Sequence, residues 1–408
     1  MAVKQGLIGK ETKSELLEDG IEPKALNIIK MLFLKKGRAA GGVTTFQNNM
    51  LRLFNDSPNF DLFVLDDQAK SRYNLLNGIY ESLRSIPFLH ILFEYMYVML
   101  KLFQYREKVD YLFIPHPFKY GLFAVLSSSL FNIPFIVPIM GWTEKELRLR
   151  GASEIEIFLQ LKYQSWVYRK AKYILASDDL IKGNSKIIKD KNKFLSFYSF
   201  IDTDSFFPMQ KSEFLIDKLN VGNRKIISTA APLEGVKAEG IKMLLKAFVL
   251  IKKEYNNVIL LIAGDGQQKK ELEDLAENLD VKNDVLFLGY WNNMPEFMNL
   301  VDVFTLIFSF GGGVGMAIME AMACEKPCVV SKTPGTEFFK NGEEVLLASP
   351  DSKEIADKII SLLKDEEYAR KIGINARKRI EAECSIKVGG GKLFNKLSED
   401  YYHERKNE

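Results

Sequence analysis

A triple-glycine segment followed by a carboxylate is the part of the sequence with the clearest chemical potential. In residues 308–320 (FSFGGGVGMAIME) an apolar run ends at Ser309, three glycines follow, and the pattern predicts a helix that begins near Val314. Glycines accept positive φ angles and let a ligand approach the backbone. The free N–H groups and the dipole of a helix N-terminus attract phosphate. The segment therefore predicts an anion site, with a diphosphate as its natural ligand.

Glu320 is the second candidate, predicted about two turns into the same helix. It precedes the apolar run 321–323, so the helix is otherwise suited to burial. A ribose diol could satisfy the carboxylate through two hydrogen bonds. The local features leave a second interpretation open, in which the glycines make a tight strand-to-helix turn and Glu320 pairs with a nearby lysine.

Few other residues are candidates for catalysis or metal binding. His116 follows the predicted strand 111–115 and is the one histidine at a strand end, so it is a weak catalytic candidate; the alternative is a loop cap. Asp202 and Asp204 form an Asp-x-Asp pair, a spacing with which two carboxylates can hold a divalent metal. A metal site of this kind would lie at the end of a nucleotide-binding strand. Here the pair instead lies just before residues 206–208, at a predicted domain junction. No metal site is predicted.

Composition bounds the class of protein. A chain of 408 residues is long enough for two domains. Lys plus Arg number 56 against 53 Asp plus Glu, a balance that does not favour nucleic acid as a partner. The three cysteines have neither the number nor the spacing of a disulfide framework or a zinc site. Cys324 and Cys328 are interpreted as buried thiols, and a reducing, cytoplasmic location is expected.

Two segments bear on membranes. Residues 1–26 lack the apolar stretch of a signal peptide and are treated as an N-terminal extension. The apolar segment 86–103 contains Pro87, His90, Glu94 and Lys101, which favours a buried or surface-seeking helix over a membrane span.

The segment 145–172 mixes basic and aromatic residues, and two interpretations of it remain open. It could rest on an anionic lipid surface, as peripheral contact on the inner face of a membrane. The acidic residues Glu154 and Glu156 favour the other interpretation, a solvated helix face.

Short apolar runs alternate with helical periods along the chain, which predicts α/β architecture with mostly parallel, doubly wound sheets. The predicted boundaries are an extension at 1–26, a Rossmann-like domain at 27–208, a second one at 209–385 and a C-terminal helix or tail at 386–408. The predicted strands are 28–34, 60–65, 111–115, 134–138 and 173–176 in the first domain and 225–228, 258–263, 285–288, 303–307 and 327–331 in the second.

Five ordered segments resemble the successive motifs of glycosyltransferase family 4; they are residues 230–248, 261–272, 285–297, 301–338 and 341–352. The likeness is fainter at 37–46 and 200–208. The resemblance implies a GT-B fold, with two Rossmann-like domains facing across a cleft. It further implies a metal-independent, retaining hexosyltransferase that uses a nucleoside diphosphate sugar, without a separate cofactor, and a glycan or lipid-linked acceptor.

The resemblance also assigns roles to individual residues. Glu320 would bind the donor ribose, and Lys237 would bind the diphosphate, where a cation neutralises the charge of the leaving group. The loop that faces the donor from the other domain would contain Gly41 and Gly42. The residues assigned to the sugar and diphosphate are Gly313, Val314, Gly315 and Met316.

Three positions depart from the family pattern. Gly312, within the predicted donor loop, stands where the family has a glutamate that contacts the transferred sugar. Met140 stands where the family has a histidine, and its thioether cannot donate a hydrogen bond. Glu239 replaces the usual lysine before Gly240. These departures leave donor choice open and keep one alternative, a catalytically inactive GT-B paralogue that binds nucleotide or a partner subunit.

Overall fold

The protein folds around two parallel sheets, each of six strands. The structure is a computed structural model, and it describes residues 29–35, 42–56, 60–66, 100, 103–139, 141, 143–149, 151–177, 180–181, 184–188, 190–196, 200–308, 314–333 and 335–407.

The first sheet has the strand order β2-β1-β3-β4-β5-β6, and every pairing is parallel. Its inner strands are short runs of branched and aromatic residues buried on both sides, as parallel strands covered by helices must be. The strands are β1 (Ile29–Lys35), β2 (Phe60–Asp66), β3 (Tyr111–Phe113), β4 (Phe135–Pro138), β5 (Tyr173–Ala176) and β6 (Phe194–Ser196).

Helices cover both faces of this sheet. The described helices of this half are α1 (Gly42–Asp56), α2 (Pro117–Phe131), α3 (Thr143–Leu149) and α4 (Glu154–Lys170), with a 3₁₀ turn at Lys191–Lys193. Helices α2 and α4 share one core with Leu112 and Phe135, whereas α1 lies in the core on the opposite face with Phe113. Helix α4 begins where the Ser153 hydroxyl accepts a hydrogen bond from Glu156 N at 3.2 Å, an ordinary N-cap.

The second sheet has the order β12-β11-β10-β7-β8-β9, again with parallel pairings. Strand order reverses between β7 and β10, which makes the crevice beyond their carboxyl ends the expected ligand site. The strands are β7 (Lys225–Ala230), β8 (Val258–Ala263), β9 (Val285–Gly289), β10 (Val303–Leu306), β11 (Cys328–Ser331) and β12 (Leu346–Ala348).

Seven α-helices and several short turns surround the second sheet in the described part of the chain. The helices are α5 (Glu213–Lys218), α6 (Gly235–Glu254), α7 (Lys269–Asn278), α8 (Met294–Leu300), α9 (Met316–Ala323), α10 (Ser352–Lys364) and α11 (Glu366–Arg379). The short turns are 3₁₀-helices at Lys282–Asp284 and Thr336–Phe338 and π-helices at Ile380–Cys384 and Ile386–Gly390.

The chain crosses between the two halves twice, and the crossings lie side by side. Ile201 pairs with Ser385 in an isolated parallel bridge. After the second crossing, helix α12 (Gly391–Asn407) returns to the first half, where the ring of Phe394 lies 4.4 Å from that of Phe60. The segment predicted as a C-terminal helix or tail thus completes the core of the N-terminal half.

The predicted strands agree with the observed ones to within a few residues, and two strands are new. Strands β6 and β12 have three residues each, too few to show a periodicity. Two helix starts also differ from the prediction: α1 begins at Gly42, which was assigned to a loop, and α9 begins at Met316, two residues after the predicted start.

Gly240 allows helix α6 to press against the end of strand β10. A Cβ atom at this position would lie 1.7 Å from the carbonyl oxygen of Ile307, which is a backbone atom without freedom to move aside. The hydrogen atom of glycine therefore fits at this position, and the methyl group of an alanine does not. The contact sets the first turns of α6 beside the chain that leaves β10.

We expect Gly240→Ala to lower the free energy of unfolding by about 1–3 kcal/mol or more, because the added methyl group overpacks a rigid contact. Urea titration followed by circular dichroism measures the change. Gly391→Ala is the matched control, since a Cβ there meets no atom within 4 Å. Equal stability of the two variants would contradict the proposed contact.

Candidate functional site

The exit of strand β10 is held by side chains at the end of the neighbouring strand β11. The Ser331 hydroxyl accepts a hydrogen bond from Phe308 N at 2.7 Å and donates one to Phe308 O at 3.0 Å. The Thr336 hydroxyl in turn donates to Ser331 O at 2.7 Å and accepts from Thr333 N at 2.8 Å. This buried network fixes the point at which the chain enters the glycine segment. Gly312 and Gly313 themselves lie outside the described residues.

The N-terminus of helix α9 supplies polar backbone groups at the other end of that segment. Gly315 is the N-cap residue, and its carbonyl accepts from Ile318 N at 3.0 Å. The N–H groups of Met316 and Ala317 have no acceptor in the part of the chain that the structure describes, as expected for the first turn of a helix. Such N–H groups are available to bind an anion, and the roles predicted for Val314, Gly315 and Met316 stay predictions.

Glu320 is the fifth residue of α9, a little over one turn from the helix start and closer to it than predicted. Only 5% of its surface is exposed, and its helix neighbours Met319 and Ala321 are fully buried. Within the described residues its carboxyl group has no ion pair, so the interpretation that Glu320 pairs with a lysine finds no support there. Burial raises the pKa of Glu320 from 4.5 to about 7.

Lys237 is the third residue of helix α6, and its helix is anchored to β10 through Gly240. The lysine therefore lies in a first helical turn next to the exit of β10. Glu239, which replaces the family's lysine, forms an ion pair with Lys242 at 2.7 Å. Lys242 also pairs with Glu271 at 2.5 Å, and these two carboxylates raise the pKa of Lys242. Lys242 is thus held by two carboxylates, which makes it a poor candidate for binding phosphate.

Two helices of the N-terminal half contact the helices of this site. Helix α1 packs against α9, and α3 packs against α6. Helix α1 begins at Gly42. Gly42 therefore belongs to the helix that contacts α9, which contains Glu320. Gly41 and Met140 lie outside the described residues.

His116 precedes helix α2 and follows strand β3, at the carboxyl edge of the first sheet where ligands of such sheets bind. Its side chain makes no capping hydrogen bond to helix α2, and both its catalytic role and the loop-cap alternative stay predictions. Its ring centroid lies 6.1 Å from that of Phe118. His116 belongs to the N-terminal half of the molecule, whereas α9 belongs to the C-terminal half.

The Asp-x-Asp pair lies at the first crossing between the halves. Asp202 pairs with Arg52 of α1, and Asp204 pairs with Lys387 at 2.9 Å. In the described ranges no group of three or more His, Cys, Asp or Glu side chains is arranged to hold a metal ion. Cys324 and Cys328 are free and buried, as the sequence indicates.

Sequence reasoning missed the hydroxyl network of Ser331, Thr333 and Thr336. Its only sequence signal is a serine that ends the apolar run CVVS, followed by KTPGT. Nothing local in that pattern says that the serine bonds a backbone 23 residues away. The role of Gly240 was missed for the same reason.

The two doubly wound domains give the chain the GT-B fold. It superimposes with a TM-score of 0.72 on HepE from Anabaena in complex with UDP-glucose, covering 91% of this chain and 100% of that one at 19% identity. Residues 212–379 match the family described as Glycosyl transferases group 1.

Two curated relatives are similar mainly over one half of the chain. N-acetyl-alpha-D-glucosaminyl L-malate synthase of Bacillus anthracis is 30% identical over 206 residues, which are 50% of this chain and 53% of the relative. An N-acetylgalactosaminyltransferase of Campylobacter jejuni named for a diphospho-undecaprenol-linked substrate is 26% identical over 42% of this chain and 49% of the relative. The matches thus span about half the length of each relative.

We expect Ser331→Ala to destabilise the protein by about 1–3 kcal/mol, because the buried Phe308 N–H loses its acceptor. Urea unfolding measures the loss. Ser361→Ala removes a hydroxyl that bonds Lys358 O at 2.7 Å on an exposed helix turn, and it should change stability by less than about 0.5 kcal/mol. A Ser331 variant as stable as this control would show that the network does not hold the loop.

The raised pKa of Glu320 predicts a stability difference that depends on pH. The native state holds this proton more tightly than the unfolded chain, so stability is lost as pH rises from about 4.5 to about 7. Glu320→Gln is neutral throughout and should gain up to about 3 kcal/mol over the native protein at pH 8, with no gain at pH 4.5. Urea titrations of the native protein and of Glu320→Gln at pH 4.5 and pH 8 test this prediction. Glu399→Gln, at an exposed position, is the control. A gain independent of pH would contradict it.

Proposed function

We propose that the protein is a glycosyltransferase that moves a sugar from a nucleoside diphosphate sugar to an acceptor hydroxyl. The observation that carries the proposal is the buried Glu320 carboxyl on a helix whose Met316 and Ala317 N–H groups have no acceptor among the described residues. One helix thus offers a partner for a ribose diol and a partner for a diphosphate. The match of residues 212–379 to group 1 glycosyl transferases supports the same interpretation.

The diphosphate would lie between the N-terminus of α9 and Lys237. Its two negative charges would be met by the N–H groups of Met316 and Ala317 and by the lysine ammonium. Residues 41–42 and 312–313 would line the loops on either side of it. As the bond from the sugar to the diphosphate breaks, charge grows on the phosphate oxygen, so the same groups favour the transition state.

We propose transfer with retention and without a metal ion. The bond between the anomeric carbon and the phosphate oxygen breaks, and the acceptor oxygen forms its bond on the same face. The acceptor proton passes to the departing phosphate oxygen. This route needs no protein nucleophile, and cationic and backbone donors would do the work of a metal. His116 is the candidate side chain of the N-terminal half that would contact the sugar or the acceptor.

The acceptor would be a glycan or a lipid-linked sugar bound by the N-terminal half, in the cytoplasm. The Campylobacter relative, whose name specifies a diphospho-undecaprenol-linked substrate, supports the lipid-linked class. The alternative function is that of an inactive paralogue that binds nucleotide. It is favoured by Gly312 and Met140, which lack the polar groups found at these positions in family 4.

We expect Glu320→Ala to weaken UDP binding at pH 8 by about tenfold to a hundredfold, the loss expected for hydrogen bonds to a charged group. Native affinity should also fall at lower pH, by up to tenfold per unit below about 7, since only the ionised carboxylate can accept hydrogen bonds from both hydroxyls of the diol through its two oxygens. Isothermal titration calorimetry between pH 6 and 8 measures both effects.

Glu320→Gln is the matched variant for the pH dependence. In this variant, the only remaining pH dependence of UDP affinity should come from the titration of the nucleotide's phosphate. The difference between the pH profiles of the variant and of the native protein therefore gives the contribution of the Glu320 carboxylate. Unchanged affinity in the Ala variant would exclude Glu320 as the ribose ligand.

Donor use is tested with a panel of UDP-, GDP- and ADP-sugars, first by thermal shift and then by release of the nucleoside diphosphate. We expect one nucleotide to stabilise the protein and its sugar conjugate to be hydrolysed or transferred equally well in EDTA. NMR of the product should show the donor's anomeric configuration. Nucleotide binding without turnover of any donor would establish the inactive paralogue instead, and activity that EDTA abolishes would overturn metal independence.

A further inference from the structure

The outward faces of helices α2 and α4 expose apolar side chains on one side of the N-terminal half. The two helices lie on the same face of the first sheet and pack together at Gly121, where a Cβ would lie 2.6 Å from a methyl carbon of Val167. Tyr163 of α4 also accepts a hydrogen bond from Leu122 N at 2.9 Å. We call the exposed apolar side chains of both helices the α2–α4 surface: Leu122, Leu126, Leu130, Ile155, Phe158 and Leu159.

The spacing of these residues places them together on one face of each helix. Leu122, Leu126 and Leu130 recur every four residues and form a stripe along α2. On α4, Phe158 and Leu159 each lie about one turn after Ile155, and the exposed fractions of Ile155, Phe158 and Leu159 are 73%, 58% and 59%. Single exposed leucines are common on soluble proteins, but a set of six on two adjacent helices marks an interaction surface.

The stretch of sequence that contains this surface has a net positive charge. Residues 100–172 contain eleven Lys and Arg against six Asp and Glu, whereas the rest of the chain has slightly more acids than bases. Of the two acids that flank Ile155, Glu154 pairs with Arg148, and Glu156 accepts a hydrogen bond from Gln160 at 3.0 Å. Lys162 lies over the ring of Phe158, 5.4 Å from its centroid, and is exposed next to the apolar side chains.

We propose that the α2–α4 surface inserts shallowly into a lipid bilayer that contains anionic lipid. Apolar side chains surrounded by Lys and Arg fit the boundary between acyl chains and negative headgroups. A second copy of this chain fits less well, because a two-fold contact would bring the same basic face against itself. In the part of the chain that the structure describes, no helix is long and apolar enough to span a bilayer, so the contact would be peripheral.

The position of α3 links this surface to the site. Helix α3 packs against α4 on one side and against α6, which contains Lys237, on the other. The exposed end of α4 is therefore separated from the cleft by one short helix. A lipid-linked acceptor would reach the cleft from this side; that consequence rests on the proposed function, whereas the lipid binding does not.

Co-sedimentation of the full-length protein with vesicles tests the proposal. One set contains phosphatidylcholine alone, and the other contains phosphatidylcholine with about a third phosphatidylglycerol. We expect binding to the anionic vesicles to exceed binding to the neutral ones by at least tenfold and to weaken in high salt. The triple variant Ile155→Ser, Phe158→Ser, Leu159→Ser should lose at least tenfold in affinity for the anionic vesicles.

The matched control is Phe214→Ser with Tyr290→Ser, which removes apolar side chains 68% and 61% exposed on the other half of the molecule. It should bind vesicles within twofold of the native protein. Thermal shift with UDP, measured on all three proteins, should be unchanged, which separates this proposal from the donor site. Native protein that binds neither vesicle, or a triple variant that binds like the native one, would overturn the proposal. So would a native dimer that the triple variant converts to a monomer without any vesicle binding.

Discussion

The buried carboxyl group of Glu320 is the constraint around which the C-terminal half is organised. A helix composed otherwise of Met, Ala and Ile packs tightly into the core, and it encloses one acid without a partner among the described side chains. Such an arrangement disfavours the ionised form, and burial alone raises the pKa of the group to about 7. The proposed donor relieves this cost, since its ribose would supply the missing hydrogen bonds.

The same helix needs a fixed N-terminus to bind a diphosphate, and the fold supplies it from three directions. Ser331 clamps the backbone of Phe308 before the glycine segment, and Gly315 packs against Leu306 after it. Gly240 brings α6 onto the carbonyl of Ile307 from the side. Ser331 and Gly240 need not contact a ligand themselves. Their effect is to limit the positions that the loop and Lys237 can adopt, which lowers the entropy cost of binding.

The N-terminal half has a different character, which suits a different partner. Its sheet is closed on one face by α1 and by the returning α12, and on the other by α2 and α4. The latter pair exposes leucine, isoleucine and phenylalanine among basic residues. A donor site in one half and a lipid-facing surface on the other would divide recognition of the two substrates between the domains.

The sequence by itself determined the two-domain α/β architecture, all the inner strands, and the strand, glycine segment and helix that contain the candidate site. These features are local: apolar runs, glycines and helical periods are read within a window of about fifteen residues. Glu320 could be selected for the same reason, as an acid in an apolar helical run.

The tertiary structure decided what depends on residues distant in sequence. Strands β6 and β12 form because neighbouring strands pair with them, and α12 joins the N-terminal core through Phe394 and Tyr401, more than three hundred residues from Phe60. The bonds of Ser331 and the contact of Gly240 likewise join strands and helices that only the folded chain brings together. The burial of Glu320, and with it the pKa, follows from packing on all sides of α9, which no single segment encodes.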